Sequence, residues 1–327
     1  MKAVVIDRPG GVDVLQIKEV PIPEVKPGWV LMKIRAFGLG RSEVLTRLGQ
    51  SPSVKLPRVI GIECVGEILH PSDSSFAKGQ KVVTLMGGLG REFDGSYEEY
   101  ALIPSKNIYP VNDAAGSYDW PTLAAIPETY YTAYSSVVNA LRVQKGETLL
   151  IRGGTSTVSI AALQVAKALG ATVISTTRNP EAKGAMLREH GADKIIKEQD
   201  DVSNDLFRLC PNGVDKVLEM VGTTTLNNSL ALLCEGGIAC MTGEMGGEWE
   251  FDKWAPMEQI KSETYLTIFA NTDVIAQRIQ EMFRFVHDHD LNVAPAHIFP
   301  LSQIRQAHTL VESGEAKGKV VVVNEDN

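Results

Sequence analysis

Ile151-Arg152-Gly153-Gly154-Thr155-Ser156-Thr157-Val158-Ser159 is the turn around which the chain can be organised. Before it runs Thr148-Leu149-Leu150-Ile151, a continuous apolar stretch of the kind a parallel strand buried on both faces needs. After it comes a helix from about Val158 to Leu169, then a second apolar stretch, Thr172-Val173-Ile174-Ser175-Thr176. Strand, turn, helix and strand within about 30 residues make one parallel unit. Strand candidates and helices keep alternating afterwards, at Lys194 to Ile196, Lys216 to Glu219, Ile238 to Thr242 and Leu266 to Phe269. That alternation predicts an α/β fold with a doubly wound parallel sheet.

Upstream the texture differs. Val30, Met32, Ile34 and Ala36 alternate with Leu31, Lys33 and Arg35, mostly the period of two of a half-buried strand. Further strand candidates are Lys2 to Ile6, Leu15 to Val20, Cys64 to Leu69, Lys81 to Leu85 and Tyr97 to Ile103. Gly and Pro punctuate them, as at Pro9-Gly10-Gly11, Pro27-Gly28, Gly79 and Gly95. Many short strands with such breaks suggest a partly open β-barrel. From Pro121 to Leu141 the chain is rich in Ala, Thr and Tyr and looks helical. The tail has a helix from about Val274 to His289, a second at Leu301 to Ser313, and a final strand at Lys319 to Val323. There is no repeat and no low-complexity linker, so two domains should share an interface, where a ligand cleft is the default expectation.

Composition bounds the function. At 327 residues the chain is too long for one ordinary core and suggests two domains. Hydrophobic residues at 44% and charged residues at 22% exclude general disorder. A net charge of −8 argues against a nucleic-acid partner, which wants a basic face. No apolar run approaches the roughly 20 residues that span a bilayer. Asp7 comes too early for a signal-peptide core, so a cytoplasmic protein with no membrane partner is expected. Cys64, Cys210, Cys234 and Cys240 form no CxxC pair, and each reads as a reduced, buried small hydrophobe.

The turn sits where a dinucleotide fingerprint belongs. Gly153 keeps the role of the first glycine, the tight turn, but Ser156, Thr157 and Ser159 stand where later glycines are usual. Two readings compete. The hydroxyls of Thr155, Ser156 and Thr157 add donors beside the free N–H groups of the helix start, and phosphate is still bound. Alternatively, this is a Ser/Thr N-cap on a sheet-packed helix. The second strand ends in Ser175-Thr176-Thr177-Arg178-Asn179-Pro180, with no acid before Glu181. An acid there would hold the 2′-hydroxyl of NAD; Arg178 suits the 2′-phosphate of NADP, so NADPH is the expected cofactor. The plain alternative for Arg178 is a solvated residue at a strand end.

Several stretches, in order and spacing, resemble a medium-chain dehydrogenase/reductase of the zinc-free quinone oxidoreductase branch. They are Phe76-Ala-Lys-Gly79-Gln-Lys-Val82, Gly95-Ser-Tyr-Glu-Glu-Tyr100, Pro127-Glu-Thr-Tyr-Tyr-Thr132-Ala-Tyr134, Gln164-Val-Ala-Lys167-Ala-Leu-Gly170-Ala171, Gly191-Ala192-Asp193, Gly213-Val-Asp215 and Gly318-Lys319-Val320-Val321. The resemblance implies a GroES-like catalytic domain at 1–121 and 270–327, and a Rossmann dinucleotide-binding domain at 122–269. Zinc relatives carry a Cys where this chain has Gly40, a His-Glu pair where it has Ile62-Glu63, and a later ligand near Glu128. Three soft or borderline ligands cannot be made from these, so no metal is expected. His287 and His289 point about 200° apart on a helix and read as a solvated helix end.

By the same resemblance, Arg41, Ser42 and Glu43, with Arg47 nearby, are catalytic candidates from the first-domain loop; Tyr130 and Tyr131 are candidates from the domain junction, or else helix core. Glu63 matches a family glutamate, or ties the barrel to the cofactor domain by an ion pair. Expected cofactor contacts are Thr132, Gly153, Thr155, Ser156, Thr157, Val158, Thr177, Arg178, Val221, Gly222, Thr242, Gly243, Phe269, Ala270, Asn271 and Lys319. Most of them follow strand C-termini, where open α/β sheets bind ligands. The expected activity is zinc-independent, NADPH-dependent hydride transfer to a small-molecule quinone or enone. The alternatives are an enoyl or 2-alkenal reductase with a Tyr proton donor, and a weakly catalytic NADPH sensor. Leu266-Thr-Ile-Phe269 is an apolar strand that could pair across a two-fold axis, as in family relatives, to form a homodimer.

Overall fold

The protein is described from a computed structural model covering residues 1–51, 53–270 and 274–325. The chain divides into two compact units, Met1–Tyr131 with Asn271–Asn327, and Thr132–Ala270.

The second unit is built on a six-stranded sheet. Its spatial order is Lys194–Lys197, Thr172–Thr177, Thr148–Arg152, Val214–Glu219, Leu233–Met241 and Tyr265–Ile268. All neighbours are parallel, with Leu150 opposite Ile174 on one side and Val217 on the other. In chain order the strands therefore run 3-2-1-4-5-6, the Rossmann arrangement. Leu149, Leu150 and Ile151 are fully buried because helices cover both faces of a parallel sheet. The helix after the turn spans Thr157–Ala168.

The first unit holds two sheets. A three-stranded one joins Gln16–Glu19, Lys2–Ile6 and Arg58–Val59. In the seven-stranded one, the long strand Trp29–Leu39 is the hub. It pairs with Glu63–His70 along one edge; along the other, Trp29–Lys33 meets Tyr100–Pro104 and Ala36–Leu39 meets Val320–Val323. The C-terminal strand thus returns to the barrel-like unit.

Some expectations need correcting. The alternation at residues 30–36 does not persist, since residues 36–39 are all buried where the return strand covers them. The region 121–141 is helical, as expected, but in three pieces: a helix Trp120–Ala124, a helix Pro127–Tyr134 and a π-helical turn Ser135–Ala140. Pro127 has no N–H for a preceding turn and so opens a new helix. The strand expected at Tyr97–Ile103 is Tyr100–Pro104, because Tyr97 and Glu98 are used in crossing toward the other sheet: Val4 N–H donates to the Tyr97 carbonyl at 2.8 Å. Cys64 and Cys240 are buried, but Cys210 and Cys234 are only partly so. Cys210 caps a helix end, and Cys234 turns its Sγ toward Asp215 and the Glu235 carbonyl. Among the described residues no helix is long and apolar enough to cross a membrane.

Candidate active site

In the second unit, parallel strands bring their C-terminal ends to one edge of the sheet. Gly153, Arg178, Val221-Gly222, Thr242-Gly243 and Phe269-Ala270 all follow those ends. Gly153 makes the tight turn with φ of +72°, a left-handed value that favours glycine. Ser156 caps the helix: its Oγ accepts from Ser159 N–H at 3.1 Å and shares a 2.7 Å hydrogen bond with Ser159 Oγ. Ser159 Oγ in turn donates to the Gly153 carbonyl at 2.8 Å. These two hydroxyls are spent on shaping the turn, whereas Thr155 is exposed and Thr157 and Val158 partly so. The first-turn N–H groups of any helix have no intrahelical partner and suit an anion.

The other positions differ in how their polar groups are engaged. Thr177 is buried and its Oγ1 accepts from Asn179 N–H at 3.3 Å, while Arg178 is exposed at the strand end. The N–H groups of Val221 and Gly222 donate to Glu219 Oε1 at 2.7 and 3.1 Å. Thr242 Oγ1 shares a 3.0 Å hydrogen bond with Ser136 Oγ, and Gly243 N–H donates to the Glu219 carbonyl at 3.2 Å. Phe269 N–H donates to the Met241 carbonyl at 3.0 Å, and Ala270 is exposed. Thr132 is buried in its helix. Asn271 lies outside the described residues.

Beneath the turn is a network that sequence reasoning missed. Arg152 is fully buried. Its Nε donates to Glu198 at 3.0 Å and its Nη2 to the same carboxylate at 2.5 Å, a planar fork. Nη1 reaches Asn228 Oδ1 at 2.8 Å, and Nη2 also reaches the Gln199 carbonyl at 2.8 Å. Glu198 Oε2 accepts from Gly153 N–H at 3.2 Å and from the Thr176 hydroxyl. Ser229, at 3.4 Å from Arg152 Nη1, donates to Glu219 at 2.5 Å. Burial pushes the Glu219 carboxyl above its usual range, against Ser229 and Arg152. The signal was present: a buried strand cannot carry an arginine without a partner.

In the first unit the candidates gather on the helix Arg41–Arg47 and the strand Glu63–His70. Glu43 is buried, with Oε2 accepting from Gly40 N–H at 3.0 Å and Oε1 from Ile62 N–H at 3.2 Å. Burial raises its pKa, opposed by Lys319 and aided by Glu63. Arg41 is exposed, and Ser42 Oγ accepts from Arg91 at 3.2 Å. Arg47 is buried and binds Glu312 at 2.7 Å, tying its helix to the helix Ile304–Ser313. Tyr130 donates its hydroxyl proton to the Asn292 carbonyl at 2.9 Å, and Tyr131 Oη accepts from Ile275 N–H at 2.8 Å. Both rings are buried. A second buried pair escaped the sequence reading: Tyr97 Oη lies 2.9 Å from His308 Nε2. Burial, with Arg47 beside it, drops the His308 pKa to about 3 and keeps the ring neutral.

Glu63 makes an ion pair, as one of its two readings had it, but within its own unit and not to the cofactor domain. Lys319 Nζ lies 2.5 Å from Glu63 Oε1 and 3.9 Å from Glu128, and Glu63 Oε2 accepts from Glu128 N–H at 2.8 Å. Lys319 belongs to the same unit, just before its return strand, so the pair closes the barrel-like unit on itself. Burial alone would lower the Lys319 pKa; Glu63 and Glu128 outweigh it and the net direction is up. Gly38 is required here, because a Cβ on it would collide with the Glu63 carboxylate and the Lys319 stem.

The residues at the zinc positions do not fit the metal. Gly40 has no side-chain donor, Ile62 offers an apolar chain, and Glu63 is held by an ammonium. Among the described residues no group of three or more His, Cys, Asp or Glu is placed to hold a metal ion. His287 Nδ1 lies against Asp288, and His289 Nδ1 against the Phe285 carbonyl.

Comparison with known proteins brings these observations together. A family model described as alcohol dehydrogenase GroES-like domain matches residues 26–113, and one described as zinc-binding dehydrogenase matches residues 190–322. The quinone oxidoreductase of Lama guanicoe is 29% identical over 99% of this chain and 97% of its own. The solved quinone oxidoreductase from Coxiella burnetii is 25% identical, with a TM-score of 0.83 and 99% of each chain covered. A mycobacterial protein, Rv1454c, solved in complex with NADPH, is 25% identical with a TM-score of 0.85 over 99% of each chain. With a glycine turn on a 3-2-1-4-5-6 sheet and a barrel-like unit closed by the C-terminal strand, the chain is similar over nearly its whole length to quinone oxidoreductases and, in its two matched segments, to the dehydrogenase families.

Proposed function

We propose that this protein is a zinc-independent, NADPH-dependent reductase of quinones or related activated carbonyls, working in the cytoplasm as a homodimer. One observation carries the reading: the glutamate that follows the lost zinc-ligand position is closed by Lys319. A zinc enzyme polarises its substrate by Lewis acidity. Here the acceptor must itself be electron-poor, as a quinone is, so that the charge of reduction delocalises. NADPH supplies the hydride when bound. The chain's own residues do the rest. The turn at 155–158 offers N–H groups to the pyrophosphate, those of Gly153 and Gly154 being used inside the protein, and Arg178 is suited to the 2′-phosphate. Arg41 and Ser42 are proposed to orient the acceptor. Glu43, buried and holding the Gly40 and Ile62 N–H groups, acts as a positioning residue for that loop. The exposed side chains of Tyr265 and Ile268 on the outermost strand support pairing with a second copy.

The alkenal-reductase reading wants a tyrosine proton donor. Tyr130 gives its proton to a backbone carbonyl, which weighs against it in that role. The test is NADPH oxidation with a panel of 1,4-quinones and 2-alkenals, with product analysis and elemental analysis of the purified protein. Quinol formation without stoichiometric zinc is the expected result. Saturated aldehydes without quinol would give the alkenal reading precedence, and tight NADPH binding without turnover would make the protein a sensor.

A further inference from the structure

Glu98 is a buried carboxylate without a counter-ion. It is 3% exposed, and no hydrogen bond or ion pair reaches its carboxyl group among the described residues. Its main chain is well used: the N–H donates to the Ser96 carbonyl and the carbonyl accepts from Asn324. Burial pushes its pKa well up, and nearby Asp94 pushes the same way. A protein does not leave such a group in a packed interior without cost. Here Glu98 instead lines a cavity of about 460 Å³, formed wholly by the first unit. That volume is within the range of small-molecule sites.

Much of the wall is apolar and aromatic, with Pro21, Pro57, Leu102, Trp29 and Phe93, and Glu92 and Asp94 add further acid to it. Trp29 and Phe93 meet edge to face at 5.4 Å. Lys26 Nζ sits 3.9 Å over one face of the Trp29 ring, a cation–π contact of the kind an ammonium makes with an indole. The other side-chain cation lining the cavity, Arg58, is held by Asp94 at 3.1 Å. Lys26 on Trp29, Arg58 on Asp94 and the Met1 ammonium on the Val20 carbonyl are thus each engaged by the protein, while the buried carboxyl of Glu98 has no such partner among the described residues. None of these residues belongs to the sets assigned above to the cofactor or to catalysis.

We propose that this cavity binds a small organic cation, an ammonium group on an apolar body, with Glu98 as its counter-ion and Trp29 and Phe93 as its wall. The full-length protein is titrated by calorimetry at neutral pH with benzylamine and, as the neutral probe of the same shape, benzyl alcohol. Benzylamine should bind saturably and at least tenfold more tightly than benzyl alcohol. In Glu98→Gln that preference should disappear, with quinone turnover unchanged. Absence of saturable amine binding, equal affinity for the two probes, or an amine preference that survives in Glu98→Gln would each overturn the proposal. A second readout covers a variant that binds neither probe. Without probe, Glu98→Gln should melt at a higher temperature than the parent at neutral pH, because the cost of burying an unpartnered carboxyl, whose pKa burial raises, has gone. A lower melting temperature would mean that Glu98 has a partner inside the protein and no vacancy for a ligand.

Discussion

Two buried ion pairs lie at corresponding depths in the two units, and they are built on opposite principles. Arg152 in the nucleotide-binding unit spends all three of its nitrogens, with a planar fork on Glu198 and further bonds to Asn228 and Gln199. Lys319 in the barrel-like unit is a point charge with one short contact, to Glu63, and with Glu128 and Glu43 also bearing on it. The first is saturated in geometry. The second is a single cation among three acids, and its balance is one of charge. Arginine suits fixed planar recognition and lysine suits a compact site. The rigid pair holds the shape of the turn at Gly153, where the cofactor is proposed to bind. The charge-poised pair holds Glu63, which directly follows Ile62 in the chain.

The sharpest way to break the comparison is Lys319→Met. It leaves Glu43, Glu63 and Glu128 buried or partly buried without their shared cation. Removing one partner of a buried pair costs about 3–5 kcal/mol, which lowers the melting temperature by roughly 10 °C for domains of this size. The pH dependence has a definite sign. Glu43 has a folded pKa raised above its unfolded value, and losing Lys319 raises it further. A raised carboxyl favours the folded state at acid pH and disfavours it as pH climbs past the unfolded value. The gap between variant and parent, followed by thermal melts from pH 8 to pH 5, should therefore narrow toward pH 5. A gap that widened would contradict the charge-poised account.

Arg152→Met tests the other pair. Its loss should cost about 3 kcal/mol, because Glu198 is left nearly buried without its partner. Here the accompanying effect is on the ligand, since Glu198 also holds Gly153 N–H and the Thr176 hydroxyl in place. The dissociation constant for NADPH, read from cofactor fluorescence, should rise about tenfold. Glu198→Gln, which keeps an acceptor, should lose less. Equal loss of stability with unchanged NADPH affinity would reduce the network to a structural one.

Arg178→Ala is expected to be smaller in stability and selective in binding. An exposed arginine supports little of the fold. If it meets the 2′-phosphate, NADPH weakens about tenfold or more, a difference of about 1.4 kcal/mol, while NADH hardly changes. Equal loss for both cofactors would remove Arg178 from the site.

How much of this was legible depends on whether the decisive forces were local. The apolar runs at 148–151 and 172–176 could be read because a strand buried on both faces must be continuous in sequence. The break at Pro127 could have been read too, since proline limits what precedes it. Glu63 and Lys319 are 256 residues apart, so no local pattern announces their pair. Glu98 lies within the strand expected at Tyr97 to Ile103, and its burial comes with the crossing of the chain between two sheets, which no local pattern shows. Arg152 is the intermediate case. Its placement in an apolar run signalled a buried partner, but that the partner is Glu198, at the end of another strand, is a fact of sheet order.

The smallest effect separates two roles that one residue type can play in the turn. Ser156 stands where a later fingerprint glycine is usual, and its hydroxyl is already engaged with Ser159 N–H and Ser159 Oγ. If that is its whole work, Ser156→Ala removes an N-cap and costs about 1 kcal/mol. Melting temperature should then fall by a few degrees, and NADPH affinity should stay within about twofold of the parent. Ser156→Gly should recover most of the loss, because glycine is tolerated at an N-cap where alanine is not. A hydroxyl that touched the cofactor would behave otherwise: both variants would lose affinity, and glycine would not restore it. The glycine variant is therefore the more informative of the two. It removes the hydroxyl as fully as alanine does, yet keeps a backbone suited to the cap, so the ordering of the two stabilities reads the cap and the affinity reads the phosphate.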